Sequence, residues 1–190
     1  MNDSFERRLA RVEAQLEIQQ LPARYALAVD SRDAAAMAAL FAVDVDCGRW
    51  GRGREALQRF YESPRIMGGF YRSVHLICGQ TVDFVDDGHA TGTVYCRAGH
   101  EDKGHWVEMA ICYFDRYVLS EGRWCFEHRD EKHWYSTDWQ ERPHGPNFQR
   151  WPGRYEGPRH APQLPHAWPS WERFWTAAGD QARAQVTDAP

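Results

Sequence analysis

The sequence lacks the features of a membrane, secreted or nucleic-acid-binding protein. No apolar run approaches the ~20 residues of a membrane span. The N-terminal segment, MNDSFERR, is charged and has no apolar core of the kind found in signal peptides. The chain contains 23 Lys and Arg against 27 Asp and Glu, a net charge of −4, whereas phosphate binding requires a basic surface. We therefore expect a cytoplasmic protein with neither a membrane nor a nucleic acid as partner.

Motifs for disulfides, metals and nucleotides are also missing. The five cysteines form no CxxC pair and their number is odd, which favours reduced thiols. The nine histidines form no HExxH unit, and the spacings His100–His105 and His128–His133 would place the two rings on opposite faces of a strand. No glycine-rich segment continues into the GK[ST] of a phosphate loop. We therefore expect no metal and no other cofactor.

The first third of the chain has the pattern of helices. Apolar residues four and three positions apart predict a helix over 4–20. Pro22 suits the first turn of a second helix over 22–31. An alanine-rich stretch with Asp33 as its N-cap predicts a third helix over 33–41. Two short elements follow, a strand over 43–50 and a helix over 54–61.

From residue 71 onward the apolar pattern changes to a period of two, which predicts long β-strands. Short turns, such as Asp86-Asp87-Gly88-His89, separate them. The predicted strands span 73–84, 90–100, 105–119 and 123–135. Helices followed by an antiparallel meander predict an α+β domain, in which the helices pack on one face of a curved sheet.

The composition changes after residue 138. Most of the ten prolines and five of the nine tryptophans lie in residues 139–190, a mixture that suits neither a long regular element nor a disordered tail. We therefore assign residues 1–138 to one domain. We interpret residues 139–190 as an ordered extension that packs on the core or on a neighbouring subunit, with a short helix over 170–178.

Asp30 and His75 are candidate catalytic residues. Asp30 follows Ala26, Leu27 and Val29 near the end of a predicted helix, where it either caps a helix or acts in a pocket. His75 lies on the first long strand, as a core histidine or as a base. A carboxylate that holds one ring nitrogen of a histidine as N–H leaves the other nitrogen basic. Together the two residues would suit proton abstraction.

The order of elements and several positions resemble the SnoaL-like branch of the NTF2-like superfamily. In that branch an acid before the alanine-rich helix pairs with a histidine on the first long strand, and Asp30 and His75 occupy these positions. Arg129 matches an arginine on the last strand of its dehydrochlorinases. Tyr25, five residues before the acid, matches a tyrosine of its dehydratases. Ala98 stands where the dehydratases carry a second acid.

The resemblance implies a cone-shaped α+β fold over roughly residues 10–137 and a cofactor-independent lyase. His75, supported by Asp30, would remove a proton from a bulky apolar substrate with rings, such as a steroid, a polyketide or a lignin-derived diaryl compound. Tyr25 and Arg129 would stabilise charge on an oxygen or on the leaving group, which is water, a halide or a small carbonyl fragment such as formaldehyde. The alternatives are an isomerase or polyketide cyclase of the same fold, and a non-enzymatic module that binds a hydrophobic ligand or a protein.

Strand alternation extends the candidate site. If His75 and Arg129 point inward, residues two positions apart on each strand share their face. The predicted substrate-binding residues are Ser73, Ile77, Val94, Cys96, Ala98, Met109, Ile111, Tyr113, Glu131 and His133. The same alternation adds Val107 and Glu127. A polar mouth, or alternatively a set of solvent-facing strand ends, would be formed by Glu131, His133, His100 and His105.

The chain also has the features of an oligomer. The apolar stripe on the first predicted helix and the tryptophan-rich extension offer more apolar surface than one small domain covers. Members of the branch that the sequence resembles are often trimeric. We expect a homo-oligomer, with a trimer favoured and a dimer as the alternative.

Overall fold

Three helices and a four-stranded sheet form the fold in a computed structural model that describes residues 4–63, 66–103, 105–140, 163–164, 167 and 169–178. The helices are α1 (Phe5–Asp30), α2 (Ala34–Ala39) and α3 (Arg54–Tyr61). The strands are β1 (Arg72–Phe84), β2 (His89–Asp102), β3 (His105–Ser120) and β4 (Arg123–Asp138). They form one antiparallel sheet in the order β1-β2-β3-β4. Helices on a curved antiparallel sheet confirm the predicted α+β class.

Helix α1 is one helix where the sequence predicted two. Pro22 lies inside it, although a proline in a helix interior removes a backbone hydrogen bond and costs about 3 kcal/mol. Ile18, Leu21 and Pro22 are all buried, and the helix packs along β1 and β4. Burial of this face offsets the lost hydrogen bond, so the helix continues through the proline to Asp30.

The opposite face of α1 is exposed and apolar. Phe5, Leu9, Val12 and Leu16, which we call the outer stripe, are between 47% and 77% exposed. They recur four and three positions apart on a face that points away from buried Ile18. The outer stripe is the apolar surface from which the sequence predicts oligomerisation.

The predicted strand over 43–50 is wrong. Among the described residues, this segment makes a single isolated bridge, between Asp46 and Arg52, and a 3₁₀ helix covers Gly48–Trp50. Gly48 and Gly51 have φ values of +56° and +104°, a conformation that a regular strand does not contain. These glycines turn the chain back on itself, so the segment forms a compact loop before α3.

The buried side chains form two connected groups. One lies under the helices and includes Met37, Phe41 and Phe126. The other lies on the inner face of the sheet, the face that α1 covers. Tyr25 of α1 packs against both groups, and it therefore joins the helical block to the inner face.

Two β-bulges interrupt β4 and change which residues face inward. One lies at Glu127, because Tyr117 pairs with Phe126 whereas Arg116 pairs with His128. The predicted inward position of Glu127 is therefore wrong. Its carboxylate lies on the outer face and accepts a hydrogen bond from Arg116 at 2.9 Å. The second bulge, at residue 134, likewise shifts the face of every residue that follows it.

Only part of the predicted extension is described. Leu164 is buried and its N–H donates to the carbonyl of His133 at 3.2 Å, so this point of the extension contacts β4. Helix α4 (Pro169–Ala178) covers the helix that the sequence predicted over 170–178. The remainder of the predicted extension lies outside the described residues. Among the residues described, no helix has the length and apolar character needed to cross a membrane.

Candidate active site

Asp30 and His75 lie in direct contact where the end of α1 meets β1. Oδ1 of Asp30 is 2.7 Å from Nδ1 of His75, and Oδ2 accepts a hydrogen bond from the His75 backbone N–H at 2.8 Å. The His75 side chain is only 7% exposed. Its second ring nitrogen, Nε2, makes no hydrogen bond to any residue that the structure describes.

The carboxylate of Asp30 is held in its ionised form. Burial alone would raise its pKa, but hydrogen bonds from the His75 ring, from Ser73 and from the His75 backbone bring the pKa below its usual value. Ser73 Oγ donates to Oδ1 at 2.7 Å. Because an ionised carboxylate only accepts hydrogen bonds, Nδ1 of His75 is the donor of this contact. In the neutral ring, Nε2 is then the nitrogen that carries the free lone pair. The pair therefore has the arrangement of a general base.

Arg32 fixes the surroundings of this pair, and no sequence pattern indicated this role. Its guanidinium donates to Ser73 Oγ at 3.1 Å and to the carbonyls of Val29, Phe70 and Tyr71 at 2.7–3.2 Å. It also lies 4.6 Å from the centre of the Phe70 ring. Arg32 has a φ of +61°, which is uncommon for a residue other than glycine. Its contacts join the end of α1, the start of β1 and the segment before β1.

The predicted apolar lining residues lie together on the inner face. Val94, Cys96, Ala98, Val107, Met109, Ile111 and Tyr113 form one buried group, against which Ile77 and Tyr25 pack. The pairing of strands places Ile77, Cys96, Ile111 and His133 in one row across the sheet. Burial raises the pKa of Cys96 to about 12, so this thiol stays protonated and behaves as an apolar side chain.

Arg129 and Tyr25 form a second polar centre on the same face. The Arg129 guanidinium lies 4.4 Å from the centre of the Tyr25 ring and 4.2 Å from that of Tyr113. Burial raises the pKa of Tyr25, against the opposing effects of Arg129 and of a hydrogen bond with Tyr61. Tyr25 is therefore a neutral hydroxyl. No contact joins Arg129 or Tyr25 to His75 among the described residues, and the apolar group lies between the two centres.

Asp115 holds Arg129 in place, and the sequence interpretation missed it. It accepts hydrogen bonds from Nε and Nη2 of Arg129 at 2.8 and 2.7 Å, and a third from Tyr117 at 2.9 Å. Burial opposes the charge of Arg129, but the bonds to Asp115 keep its pKa above the usual value. Nη1 of Arg129 is buried and has no partner among the described residues. Asp115 lies two positions after Tyr113 and therefore points to the same, otherwise apolar face of β3. An acidic residue on such a face indicates a buried cation, and this was the sequence signal that could have found it.

The four predicted mouth residues differ in their surroundings. The His100 ring is buried and packs edge-on against His75, with centres 5.4 Å apart. Nδ1 of His133, also buried, lies 3.5 Å from the half-exposed carboxylate of Glu131. His105 is exposed and pairs with Asp138 at 2.9 Å. His100 and His133 therefore belong to the inner face, whereas His105 belongs to the surface.

A surface cavity of about 680 Å³ lies beside the Arg32 network. Its lining includes Arg32, Phe70, Tyr71 and Lys103. It contains neither Asp30 nor His75, so the position of the base, rather than this cavity, defines the candidate site. In the part of the chain that the structure describes, no three His, Cys, Asp or Glu side chains are grouped as a metal site requires.

Comparison with known proteins agrees with this architecture. A family model for a SnoaL-like domain matches residues 10–130. The fold is similar to hexachlorocyclohexane dehydrochlorinase type 3 from Novosphingobium barchaimii (19% identity, 70% of this chain and 94% of that chain, TM-score 0.62). It is also similar to a scytalone dehydratase-like protein from Novosphingobium aromaticivorans (24% identity, 77% and 98%, TM-score 0.58). A third similar structure is an NTF2-like protein from the same organism (22% identity, 69% and 90%, TM-score 0.56). No curated protein matches the sequence.

Proposed function

The chain belongs to the SnoaL-like domain family, and from this membership and the geometry of its inner face we propose that it is a cofactor-independent lyase. The observation that carries the proposal is the 2.7 Å contact between Asp30 and His75. It supplies a histidine base whose free nitrogen borders an apolar surface. The solved structures similar to this chain include a dehydrochlorinase and a dehydratase-like protein, whose names describe eliminations.

The elimination begins with proton transfer to His75. Nε2 takes a proton from a carbon of the substrate, the electron pair of that C–H bond forms a carbon–carbon double bond, and the leaving group departs with the electron pair of its own bond. Asp30 stabilises the imidazolium that results. The neutral hydroxyl of Tyr25 and Nη1 of Arg129 are the donors that stabilise negative charge on an oxygen or on the leaving group.

The inner face favours a bulky apolar substrate with rings. Its lining between the two polar centres consists of aliphatic, aromatic and thiol side chains, which suit hydrocarbon surfaces rather than sugars or phosphates. We therefore propose a halogenated alicycle, a steroid, a polyketide or a lignin-derived diaryl compound as substrate. Halide or water would leave in the step described above. Formaldehyde would leave by a different step: Nε2 takes the proton of a hydroxymethyl O–H, that electron pair forms the C=O bond of formaldehyde, and the electron pair of the broken C–C bond forms a carbon–carbon double bond as a hydroxyl on the adjacent carbon departs as water.

The proposal is tested by product mass. The purified protein is incubated in D₂O with hexachlorocyclohexane, scytalone and a diaryl compound that carries a hydroxymethyl group. Loss of HCl, water or formaldehyde identifies a lyase, whereas deuterium incorporation without such a loss identifies an isomerase or cyclase. His75→Ala should abolish turnover. His89→Ala is the matched control, because His89 contacts Asp86 at 3.0 Å in a pair that is more than half exposed.

The two variants also separate an enzyme from a binding module. If His75→Ala turned over a panel compound as fast as His89→Ala did, the base would be assigned to the wrong residue. If the wild-type protein bound these compounds without changing their mass or their deuterium content, the chain would be a ligand-binding member of the family.

A further inference from the structure

One row of inward-facing residues crosses the whole sheet from the candidate base. His75 of β1 pairs with Ala98, Ala98 with Met109, and Met109 with Ser136 of β4. Residues directly opposite each other in antiparallel strands share a face, so all four point to the same side. With strands about 4.8 Å apart, the row is roughly 14 Å long measured along the sheet. It has a polar residue at each end and an apolar floor between them.

Ser136 faces inward because of the second bulge in β4. Ile111 pairs with His133 and Ala110 pairs with Tyr135, so residue 134 is the extra residue. Regular alternation from Arg129 would have placed Tyr135 on the inner face and Ser136 on the outer face. A bulge that re-aims a side chain is common beside functional sites.

Within the described part of the chain, the hydroxyl of Ser136 has no hydrogen-bond partner. The residue is fully buried, and Oγ makes no hydrogen bond to any of the residues described. The neighbouring Thr137 is also buried, yet its hydroxyl donates to the carbonyl of Asp138 at 3.1 Å. Buried hydroxyls are nearly always hydrogen-bonded, because leaving one without a partner costs folding free energy. An unpaired hydroxyl on the face that carries the base therefore indicates a ligand.

We propose that Ser136 Oγ hydrogen-bonds an oxygen substituent of the substrate. This oxygen lies on the side of the ring opposite to the carbon that His75 deprotonates, and the apolar ring rests on Ala98 and Met109. The proposal rests on the proposed function for the role of His75, and it narrows the substrate class. An oxygenated ring compound offers a C–H bond to His75 at one end of the row and a hydrogen-bond acceptor to Ser136 at the other. A polyhalogenated alicycle leaves the hydroxyl of Ser136 without a strong acceptor.

Two probes that differ by one oxygen test this contact without requiring turnover. 1-Tetralone and tetralin have the same two-ring skeleton, and only tetralone carries a carbonyl oxygen. Their dissociation constants are measured by tryptophan fluorescence for the wild-type protein, Ser136→Ala and Thr137→Val. We expect the preference for tetralone, taken as the ratio of the two constants, to fall by about two- to tenfold in Ser136→Ala, the value of one neutral hydrogen bond. Thr137→Val should keep the wild-type ratio.

Thermal unfolding supplies a second readout that a purely structural serine would not give. Removing an unpaired buried hydroxyl leaves no partner unsatisfied, so Ser136→Ala should unfold at the same temperature as the wild type or a few degrees higher. Thr137→Val should unfold at a lower temperature, because its hydroxyl is hydrogen-bonded. An unchanged probe ratio in Ser136→Ala, or a lower unfolding temperature for this variant, would overturn the proposal.

The proposed function and this contact can fail separately. His75→Ala should lose turnover and keep the tetralone preference. If the wild-type protein turned over no panel compound while Ser136→Ala still lost the preference, the lyase proposal would be wrong and the Ser136 contact would stand.

Discussion

Replacing Asp30 by Asn is the sharpest perturbation of the candidate base. Asp30 accepts three hydrogen bonds, from Ser73 Oγ, from the His75 backbone and from the His75 ring. An asparagine of the same shape has one oxygen and one NH₂ group. If the NH₂ group faces the ring, Nδ1 of His75 must accept a hydrogen bond, and the proton moves to Nε2. If it faces the backbone N–H, two donors meet at about 2.8 Å.

Either orientation has a measurable consequence. The first removes the lone pair that takes the proton, and loss of a general base lowers kcat by about 10²- to 10⁴-fold. The second leaves a part-buried donor unsatisfied, which lowers the free energy of unfolding by about 1–3 kcal/mol. The asparagine side chain adopts one orientation at a time. We therefore expect either the loss of turnover or the loss of stability at its full size.

Nitrogen NMR of the His75 ring measures the first effect without a substrate, because the two tautomers have distinct ¹⁵N shifts. Denaturant unfolding measures the second. Asp86→Asn is the matched control, because Asp86 also contacts a histidine but at the exposed surface. It should leave both the His75 tautomer and the stability as they are in the wild type, because an exposed ion pair contributes little. An Asp30→Asn protein with Nδ1 still protonated, unchanged stability and unchanged turnover would refute the reasoning.

Four further outcomes are expected. Because the pKa of Asp30 is lowered in the folded state, its contribution to stability is present above the ordinary carboxyl pKa and is lost as the pH falls below about 4, so acid unfolding should be shallower in Asp30→Asn. Asp115→Asn should lower the free energy of unfolding by about 3–5 kcal/mol in denaturant titrations, because it leaves buried Arg129 without its counter-ion. Arg32→Ala should lower it by about 1–3 kcal/mol, through the loss of hydrogen bonds to backbone and side-chain oxygens. Light scattering should give a particle mass that is a multiple of the 22.1 kDa of one chain, and Leu9→Glu in the outer stripe should reduce this mass.

The outcomes that contradict these expectations are equally specific. If stability fell equally steeply with decreasing pH in the wild type and in Asp30→Asn, the Asp30 carboxylate would not be preferentially stabilised on folding. A loss below 1 kcal/mol in Asp115→Asn would mean that Arg129 finds another acceptor. For Arg32, the exposed Arg116→Ala is the control, and equal stabilities of the two variants would exclude a structural role. A mass of one chain for the wild type would refute oligomerisation through the outer stripe.

The sequence predicts most of the fold because each element has a local signal. Period-two alternation placed all four strands within a few residues of their observed bounds, and Asp33 accepts the backbone N–H of Ala36 at 2.8 Å as the predicted N-cap. The errors arise where tertiary contacts override a local preference. Pro22 normally begins a helix, but burial against the sheet carries α1 through it. The segment over 43–50 has the sequence pattern of a strand, but its glycines adopt positive φ, which a regular strand does not contain.

The residues of the candidate site likewise divide into those with a local sequence signal and those whose position depends on tertiary contacts. The sequence nominated Asp30 and His75, and the structure places them in contact, while their catalytic roles stay predictions. It did not indicate Arg32, because no pattern foretells an arginine with positive φ, nor Ser136, because alternation alone places it on the outer face. Glu127 was misplaced for the same reason as Ser136. Bulges are set by the register of two strands, which one strand's sequence does not contain.

The contacts of Asp30 also bear on how the protein folds. They join residues 43 and 45 positions apart along the chain, and among the described strands β1 pairs with β2 alone. Loop closure over such separations is slow compared with formation of a helix. Helix α1 should therefore acquire its secondary structure well before the base exists. In refolding experiments the helical circular dichroism signal should recover ahead of the proposed lyase activity, and the interval between them measures the time that the sheet needs to close on α1.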